Sequence, residues 1–180
     1  EEKAVPGAQR HDLGNPLHLR VPLSHGVRVI AAHCASLGQA LDLDARRPSQ
    51  VPAFNLFARL MDETSHGGRL LGDVSAVFQS NRDVNVWHTV IQRTEWHSRL
   101  LHGSDHPLPG VMALHRPTSW VRAGLLNRND AIHIDALRHH NPLLADLVLK
   151  RLVRSNGAAL STDVFNTRRH FNRQPPSVSV

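Results

Sequence analysis

Two short stretches decide the fold of this chain: VRVIAAHC at residues 27–34 and RLLHGSDHP at residues 99–107. Each contains an apolar run followed by a side chain able to bind a metal ion, His33 in the first stretch and Asp105 in the second. Apolar runs of this length are typical of strands buried on both faces, as in parallel α/β sheets. The two stretches therefore predict two strands of a parallel sheet, each with a polar group at its carboxyl end.

Strand alternation predicts which way these polar groups point. Side chains alternate along a strand, so we expect His33 to share a face with Ala31 and Cys34 to point to the opposite face. By the same argument, Asp105 shares a face with Leu101. An imidazole and a carboxylate at the carboxyl ends of parallel strands form the layout in which barrel hydrolases hold a divalent metal. The spacing thus predicts a metal site at this edge of the sheet.

Four segments of the chain resemble a known superfamily. They are VIAAHCASLG at 29–38, LLGDVSAV at 70–77, RLLHGSDHPLPG at 99–110 and NPLLADLVLKRLVRSNG at 141–157. Together they resemble the carboxyl-terminal half of the amidohydrolase superfamily, closest to the metal-dependent TIM-barrel hydrolases of its amidohydrolase-related branch. The resemblance runs from about Asn15 to Phe171. It implies a (β/α)8 barrel with metal ligands on strands 1, 5, 6 and 8, in which His33 matches the strand-6 histidine and Asp105 the strand-8 aspartate.

The chain departs from the pattern of that family at its amino-terminal side. It has no His-x-His motif, and no earlier strand carries a second histidine ligand. A complete barrel needs about 250 residues, whereas this chain has 180 and begins with Glu1 rather than Met. We therefore expect one partial domain over residues 1–180, an α/β unit that is the carboxyl-terminal portion of a TIM barrel, about strands 6 to 8 with their helices. Residues 172–180 are expected to form a flexible tail.

Composition predicts a cytoplasmic protein without a membrane anchor. Hydrophobic residues make up 41% of the chain, but no apolar run approaches the roughly 18 residues that a membrane span needs. The first twenty residues contain no apolar core of a signal peptide. The single cysteine, Cys34, excludes an internal disulfide and gives no reason to expect secretion.

The formal net charge of +6 raises the question of nucleic-acid binding. Such binding requires basic side chains clustered on one face, with interleaved aromatic residues where single strands are bound. Here the arginines are scattered along the chain and become dense only at 150–154 and 168–173. We therefore do not expect a nucleic-acid partner.

Between the two stretches, the sequence predicts two strand–helix units, as a barrel requires. The first helix carries one apolar stripe that includes Leu56 and Leu60, and Pro142 stands at the first position of the last helix. Leu144, Leu147, Val148 and Leu152 are expected to face inward on that last helix. We expect strands at 27–33, 69–77 and 99–104, a long loop at 34–51, and helices at 16–25, 53–66, 82–98, 119–126, 130–139 and 142–154.

Asp105 is the strongest candidate for a catalytic residue. An aspartate after an apolar strand is costly to bury without a partner, so a functional role is favoured. A helix cap is the alternative, but Pro107 argues against a helix that begins immediately after it. The resemblance implies that this carboxylate contacts the metal and takes the proton from an attacking water molecule.

Three further residues are candidates for the site, and two of them have an ordinary structural alternative. His33 is either a metal ligand or a hydrogen-bonded core histidine, and its position at a strand end favours the ligand. Asp73 either lines the mouth of the barrel, where it would bind substrate, or forms a cap or an ion pair with an arginine. His106 lies in the loop over the mouth, where it could contact substrate.

The function expected from the resemblance is that of a metal-dependent hydrolase, in which an activated water molecule attacks a C–N or C–O bond of a small-molecule substrate. Zinc is the expected cofactor and manganese the alternative. We expect the chain to be inactive without the missing first half. A decarboxylase of the same branch and a non-catalytic half-barrel that serves as an interaction module are the alternatives. Unpaired sheet edges would also favour a homo-oligomer.

Overall fold

The structure of the protein, a computed structural model, describes residues 11–66 and 68–171. The expected flexible tail at 172–180 lies outside the described residues. Seven short strands are present in this part of the chain. They are β1 (Val29–Ala31), β2 (Gln39–Leu41), β3 (Gln50–Pro52), β4 (Leu70–Asp73), β5 (Leu100–Leu101), β6 (Arg154–Ser155) and β7 (Ala158–Ala159).

Eight α-helices of the described residues surround these strands, together with several short 3-10 helices. None of the helices in this part of the chain is long and apolar enough to cross a membrane. They are α1 (Arg20–Ser24), α2 (Ala53–Asp62), α3 (Val84–Gln92), α4 (Pro117–Arg122), α5 (Arg128–His140), α6 (Pro142–Leu152), α7 (Thr162–Phe165) and α8 (Arg168–Phe171).

The central element is a parallel sheet with the strand order β1-β4-β5. Ala31 pairs with Gly72, and Gly72 pairs in turn with Leu100. In sequence, helix α2 lies between β1 and β4, and α3 lies between β4 and β5. The expected mixed α/β class with parallel strands is therefore confirmed. The expected portion of a TIM barrel is not evident, because the sheet formed by the described residues is open, with β1 and β5 at its edges.

The strands are much shorter than the sequence predicts. They contain two to four residues each, although the apolar runs that suggested them are longer. The run after β4 shows the reason most clearly, since residues 74–79 are buried but do not continue the strand. Four successive carbonyl groups of this segment, from Ser75 to Phe78, accept hydrogen bonds from side chains instead. Lys150 Nζ donates to Ser75 (2.9 Å), Arg82 Nε to Ala76 (3.4 Å), Trp87 Nε1 to Val77 (2.7 Å) and Trp120 Nε1 to Phe78 (2.9 Å).

Close packing in the sheet depends on Gly72. A β-carbon at this position would lie 2.8 Å from Cys34 Sγ and 2.8 Å from Phe57 Cζ. Both of those side chains are fully buried. The absence of a side chain at Gly72 therefore allows α2 and the turn after β1 to approach β4 closely.

Helix α2 begins at residue 53 and buries its stripe of Leu56, Phe57, Leu60 and Met61 as predicted, but it ends at Asp62 rather than at residue 66. The prediction for the helix at 142–154 was right about Pro142 at its start and only partly right about its inward face. Leu147 and Val148 are half-buried, whereas Leu144 and Leu152 are 42% and 37% exposed. The buried face of α6 contains Ala145 and Leu149 together with the ion pair of Asp146 and Lys150.

Two antiparallel hairpins were not predicted. The expected loop at 34–51 contains β2 and β3, which pair with each other. The last predicted helix, 142–154, ends at Leu152, and Gly157, with a φ of +80°, lies in the turn of the β6–β7 hairpin that follows. These hairpins are too short to show strand periodicity in the sequence.

Candidate functional site

His33 lies two residues beyond the carboxyl end of β1 and is buried. Its backbone is left-handed, with a φ of 51°, as are those of Cys34 (53°) and Ala35 (49°). Strand alternation therefore does not apply to His33, and the expectation based on it was wrong at this point. The tight turn directs the imidazole toward the residues that follow β4.

Asp73, the last residue of β4, is the centre of a hydrogen-bond network. Its Oδ2 accepts from the backbone N–H of His33 (3.3 Å) and from the hydroxyl of Ser75, and its Oδ1 accepts from the backbone N–H of Ser75 (2.9 Å). His33 Nδ1 lies 2.7 Å from Ser75 Oγ and 3.3 Å from Asp73 Oδ2. Because the hydroxyl proton of Ser75 is directed at Asp73, this arrangement favours the tautomer of His33 that donates from Nδ1.

Asp105 lies on the other side of the same imidazole. Its Oδ2 is 3.7 Å from His33 Nε2, and its side chain is 27% exposed. Asp105 has a φ of 57°, in the region that non-glycine residues rarely adopt. The structure therefore brings together three of the residues singled out in the sequence, His33, Asp73 and Asp105, at the carboxyl end of the parallel sheet.

Glycine at position 103 makes room for this cluster. A β-carbon there would lie 2.9 Å from Asp73 Oδ1 and 3.3 Å from the β-carbon of Ser75. The segment before Asp105 can therefore approach the Asp73 carboxylate only because Gly103 has no side chain.

Burial and hydrogen bonding act in opposite directions on Asp73. Burial alone raises the pKa of its carboxyl, but the hydrogen bonds from His33 and Ser75 outweigh burial and hold that pKa below its ordinary value. Asp73 is therefore an anion at neutral pH. Cys34, whose Sγ lies 3.3 Å from the carbonyl of Asp73, is fully buried. Burial, reinforced by the charge of Asp73, raises the pKa of this thiol well above its ordinary value, so Cys34 has a structural role.

The other histidines of the Asp105 stretch lie in different surroundings. His106 is exposed at the start of the loop that follows Asp105, and its expected contact with substrate stays a prediction. The ring of His102 lies against Phe165 of α7, with the ring centres 5.4 Å apart. Burial, together with the charge of Lys150, lowers the pKa of His102 to about 4. His102 thus packs against a helix rather than joining the cluster.

Lys150 and Asp146 form a buried ion pair that the sequence analysis did not single out. Lys150 is fully buried, and its Nζ donates to Asp146 Oδ2 (2.6 Å), the carbonyl of Ser75 (2.9 Å) and the carbonyl of Gly103 (2.8 Å). Burial lowers the pKa of Lys150 and raises the pKa of Asp146. The negative charge of Asp146 and the positive charge of Lys150 oppose these shifts but do not cancel them. The i,i+4 spacing of the two residues was the available signal, but that spacing is equally common on exposed helix faces.

The donor set fits a metal ion only in part. His33 Nε2 and Asp105 Oδ2 are separated by 3.7 Å, less than two metal–ligand bonds of about 2.1 Å each, so both atoms can reach one ion. The hydrogen bonding at His33 Nδ1 matches the usual support of a metal-binding histidine. No group of three or more His, Cys, Asp or Glu side chains within residues 11–66 and 68–171 is arranged to hold a metal. His33 Nε2 and Asp105 Oδ2 are thus two candidate ligand atoms within reach of one ion.

Comparisons with protein-family models, with curated proteins and with solved structures found no match for this chain.

Proposed function

We propose that this chain is the carboxyl-terminal portion of a metal-dependent hydrolase of the amidohydrolase type, with His33 and Asp105 as two of its metal ligands. One observation carries the proposal. The imidazole of His33 lies between two carboxylates, with Asp73 and Ser75 on its Nδ1 side and Asp105 on its Nε2 side. Residues at the ends of separate parallel strands form this arrangement, as they do in barrel enzymes.

The sheet supports this assignment in its order of strands. The three strands of the sheet, β1, β4 and β5, are parallel and lie side by side in the same order as in the chain. Helices lie between them in sequence. Consecutive strands of a barrel follow the same order. The open edge at β1 is where a preceding strand of the barrel would pair.

In this proposal each polar side chain has a separate task. Asp73 and Ser75 fix the imidazole of His33 through Nδ1, so that Nε2 is directed toward Asp105. A bound zinc or manganese ion would lower the pKa of a water molecule to about 7. With a metal ion held by His33 and Asp105, the carboxylate of Asp105 would be the general base that takes a proton from the attacking water molecule. It would then be the general acid that returns this proton to the departing amine or alcohol when the C–N or C–O bond breaks.

The first test is metal binding by the chain itself. We expect zinc affinity measured by calorimetry to be micromolar or weaker, because two ligands leave the ion largely hydrated. Binding should be lost in His33→Ala and in Asp105→Asn, and it should be unchanged in His18→Ala, since His18 is exposed and outside the cluster. Sub-micromolar binding that survives both site variants would contradict the proposed ligands.

The second test concerns the missing ligands. The coding DNA upstream of residue 1 is expected to continue in frame and to encode a strand with a His-x-His motif. The resulting full-length protein, with zinc or manganese, should hydrolyse small amides, esters or lactones, and Asp105→Asn should lower kcat by about 100- to 10,000-fold. Unrelated upstream sequence would favour the non-catalytic half-barrel, and carbon dioxide release from a carboxylic acid would favour the decarboxylase.

A further inference from the structure

We propose that the α5–α6 helix pair is a positioning device for Asp105, acting through two buried cations that bind the backbone on either side of it. Lys150 of α6 holds the carbonyl of Gly103, and Arg138 of α5 holds the carbonyl of Pro109. The task of Asp105 in this inference rests on the proposed function. The geometry that holds Asp105 in place does not depend on it.

Lys150 connects the two strand ends that form the site. Its single ammonium group donates to the carbonyl of Ser75, just after β4, and to the carbonyl of Gly103, just after β5. Asp146, one turn earlier on α6, supplies the balancing charge at 2.6 Å. Lys150 is fully buried, which strengthens these bonds. One side chain therefore ties the segment after β4 to the segment after β5, beyond the backbone pairing of Asp73 with Leu101.

Arg138 holds the far side of the same loop. Its Nη1 donates to the carbonyl of Pro109 at 2.9 Å, and the residue is fully buried. Its Nε and Nη2 have no hydrogen-bond partner among the described residues. The same guanidinium lies over the ring of Trp120, 6.0 Å from the ring centre. A buried guanidinium with unsatisfied donors costs stability, and the hydrogen bond to the loop carbonyl offsets part of that cost. Arg138 therefore ties the loop after Asp105 to the packed core.

The segment between these two contacts contains a strained residue. Asp105 has a left-handed backbone with a φ of 57°, and a non-glycine residue in that region costs on the order of 1 kcal/mol or more unless its surroundings hold it. The carbonyl of Asp105 accepts from the N–H of Leu108 at 2.9 Å, which closes a tight turn. Two fixed carbonyls, at Gly103 and Pro109, leave this turn little freedom to relax. The Asp105 carboxylate consequently stays directed toward His33.

The test compares Lys150→Met and Arg138→Met with a control variant, Val90→Ala, which shortens a buried side chain of α3. The described residues of α3 make no hydrogen bond to residues 103–109. The first measurement is metal-free NMR of the Cα and Cβ chemical shifts of Asp105, which report the sign of φ. We expect both methionine variants to lose the left-handed signature and Val90→Ala to keep it. Because Lys150→Met leaves the Asp146 carboxylate buried and unpaired, the double variant Asp146→Leu/Lys150→Met serves where the single variant does not fold.

The second measurement is zinc affinity by calorimetry. We expect about a 10-fold loss of zinc affinity in each methionine variant. Left-handed shifts retained at Asp105 in both Arg138→Met and the Lys150 variants would overturn the positioning role. Shifts that change while zinc affinity does not would support the positioning of Asp105 and would instead overturn its proposed role as a metal ligand.

Discussion

His33 is bound to Asp73 through both its backbone and its side chain. The backbone N–H of His33 donates to Asp73 Oδ2 at 3.3 Å, and its Nδ1 lies 3.3 Å from the same oxygen. One carboxylate at the end of β4 therefore fixes both the turn after β1 and the orientation of the imidazole. Neighbouring parallel strands bring these residues together although they are 40 positions apart in sequence.

Substitution of Asp73 by asparagine tests this relationship. Asp73→Asn keeps the shape but replaces one acceptor oxygen with a donor that faces other donors. We expect the free energy of unfolding, measured with urea, to fall by about 1–3 kcal/mol. We also expect zinc affinity to fall about 10- to 100-fold. Asp163→Asn is the control, because the pair of Asp163 with Arg169 is exposed and should contribute at most about 1 kcal/mol. Equal effects of the two substitutions would show that the network has no special importance.

The buried carbonyls of residues 77 and 78 lead to a second prediction. Trp87→Phe and Trp120→Phe each remove the indole donor from one of them, and each should cost about 1–3 kcal/mol beyond the lost apolar area. Trp96→Phe is the matched control. Trp96 is equally buried, but its indole donates to the half-exposed carboxylate of Asp62, which water can satisfy.

Urea denaturation followed by circular dichroism measures the three differences. Trp96→Phe should retain at least about 1 kcal/mol more stability than either of the other variants. If all three lose the same amount, the indole donors are not what stabilises the segment after β4.

These tryptophans also show why part of the fold could not be predicted from the sequence. The apolar run after Leu70 predicts a long strand, but the carbonyls of Val77 and Phe78 are satisfied by side chains, one of them 42 residues distant. Hydrophobic periodicity reports burial and not which group satisfies the backbone. In contrast, Pro142 at the start of α6 and the stripe on α2 were predicted correctly, because local sequence determines both.

The sequence predicted which residues form the candidate site better than it predicted their geometry. Parallel strand ends meet at one edge of a sheet, so the proximity of His33, Asp73 and Asp105 followed from their positions after apolar runs. The left-handed turns at His33 and Asp105 did not follow, because histidine and aspartate are only enriched at positive φ and most such residues do not adopt it. The burial of Lys150 depends on carbonyls in two other segments, and α6 alone does not reveal it.

Gly72→Ala tests the close packing of β4 against α2. The added methyl group would meet Cys34 Sγ and Phe57 Cζ at 2.8 Å each, and we expect a loss of about 1–3 kcal/mol in the free energy of unfolding. Gly110→Ala should change stability little, because the nearest atom to its β-carbon is Pro142 Cγ at 3.8 Å. In a Cys34→Ala background the cost of Gly72→Ala should be smaller, since one of the two close contacts is gone. An equal cost in both backgrounds would exclude Cys34 as the obstacle.

The buried His115 and the partly exposed His102 predict how stability depends on pH. Burial, reinforced by the charge of Arg138, lowers the pKa of His115 to about 4, and burial with the charge of Lys150 does the same for His102. In the unfolded chain both titrate near their ordinary value of about 6.5. Between these values the unfolded state binds more protons, so the free energy of unfolding falls as the pH decreases from 6.5 toward 4.

At pH 4.5 the expected loss from His115 is on the order of 2 kcal/mol relative to pH 7, and that from the partly exposed His102 is smaller. Urea denaturation at pH 7, 5.5 and 4.5 measures this dependence. His115→Gln should flatten it, because glutamine does not titrate, whereas His18→Gln, at an exposed position, should leave it unchanged. If the free energy of unfolding falls equally steeply with pH in wild type and in His115→Gln, His115 takes up its proton as readily in the folded state as in the unfolded chain. The burial of His115 beside Arg138 would then not be the cause of the sensitivity to acid.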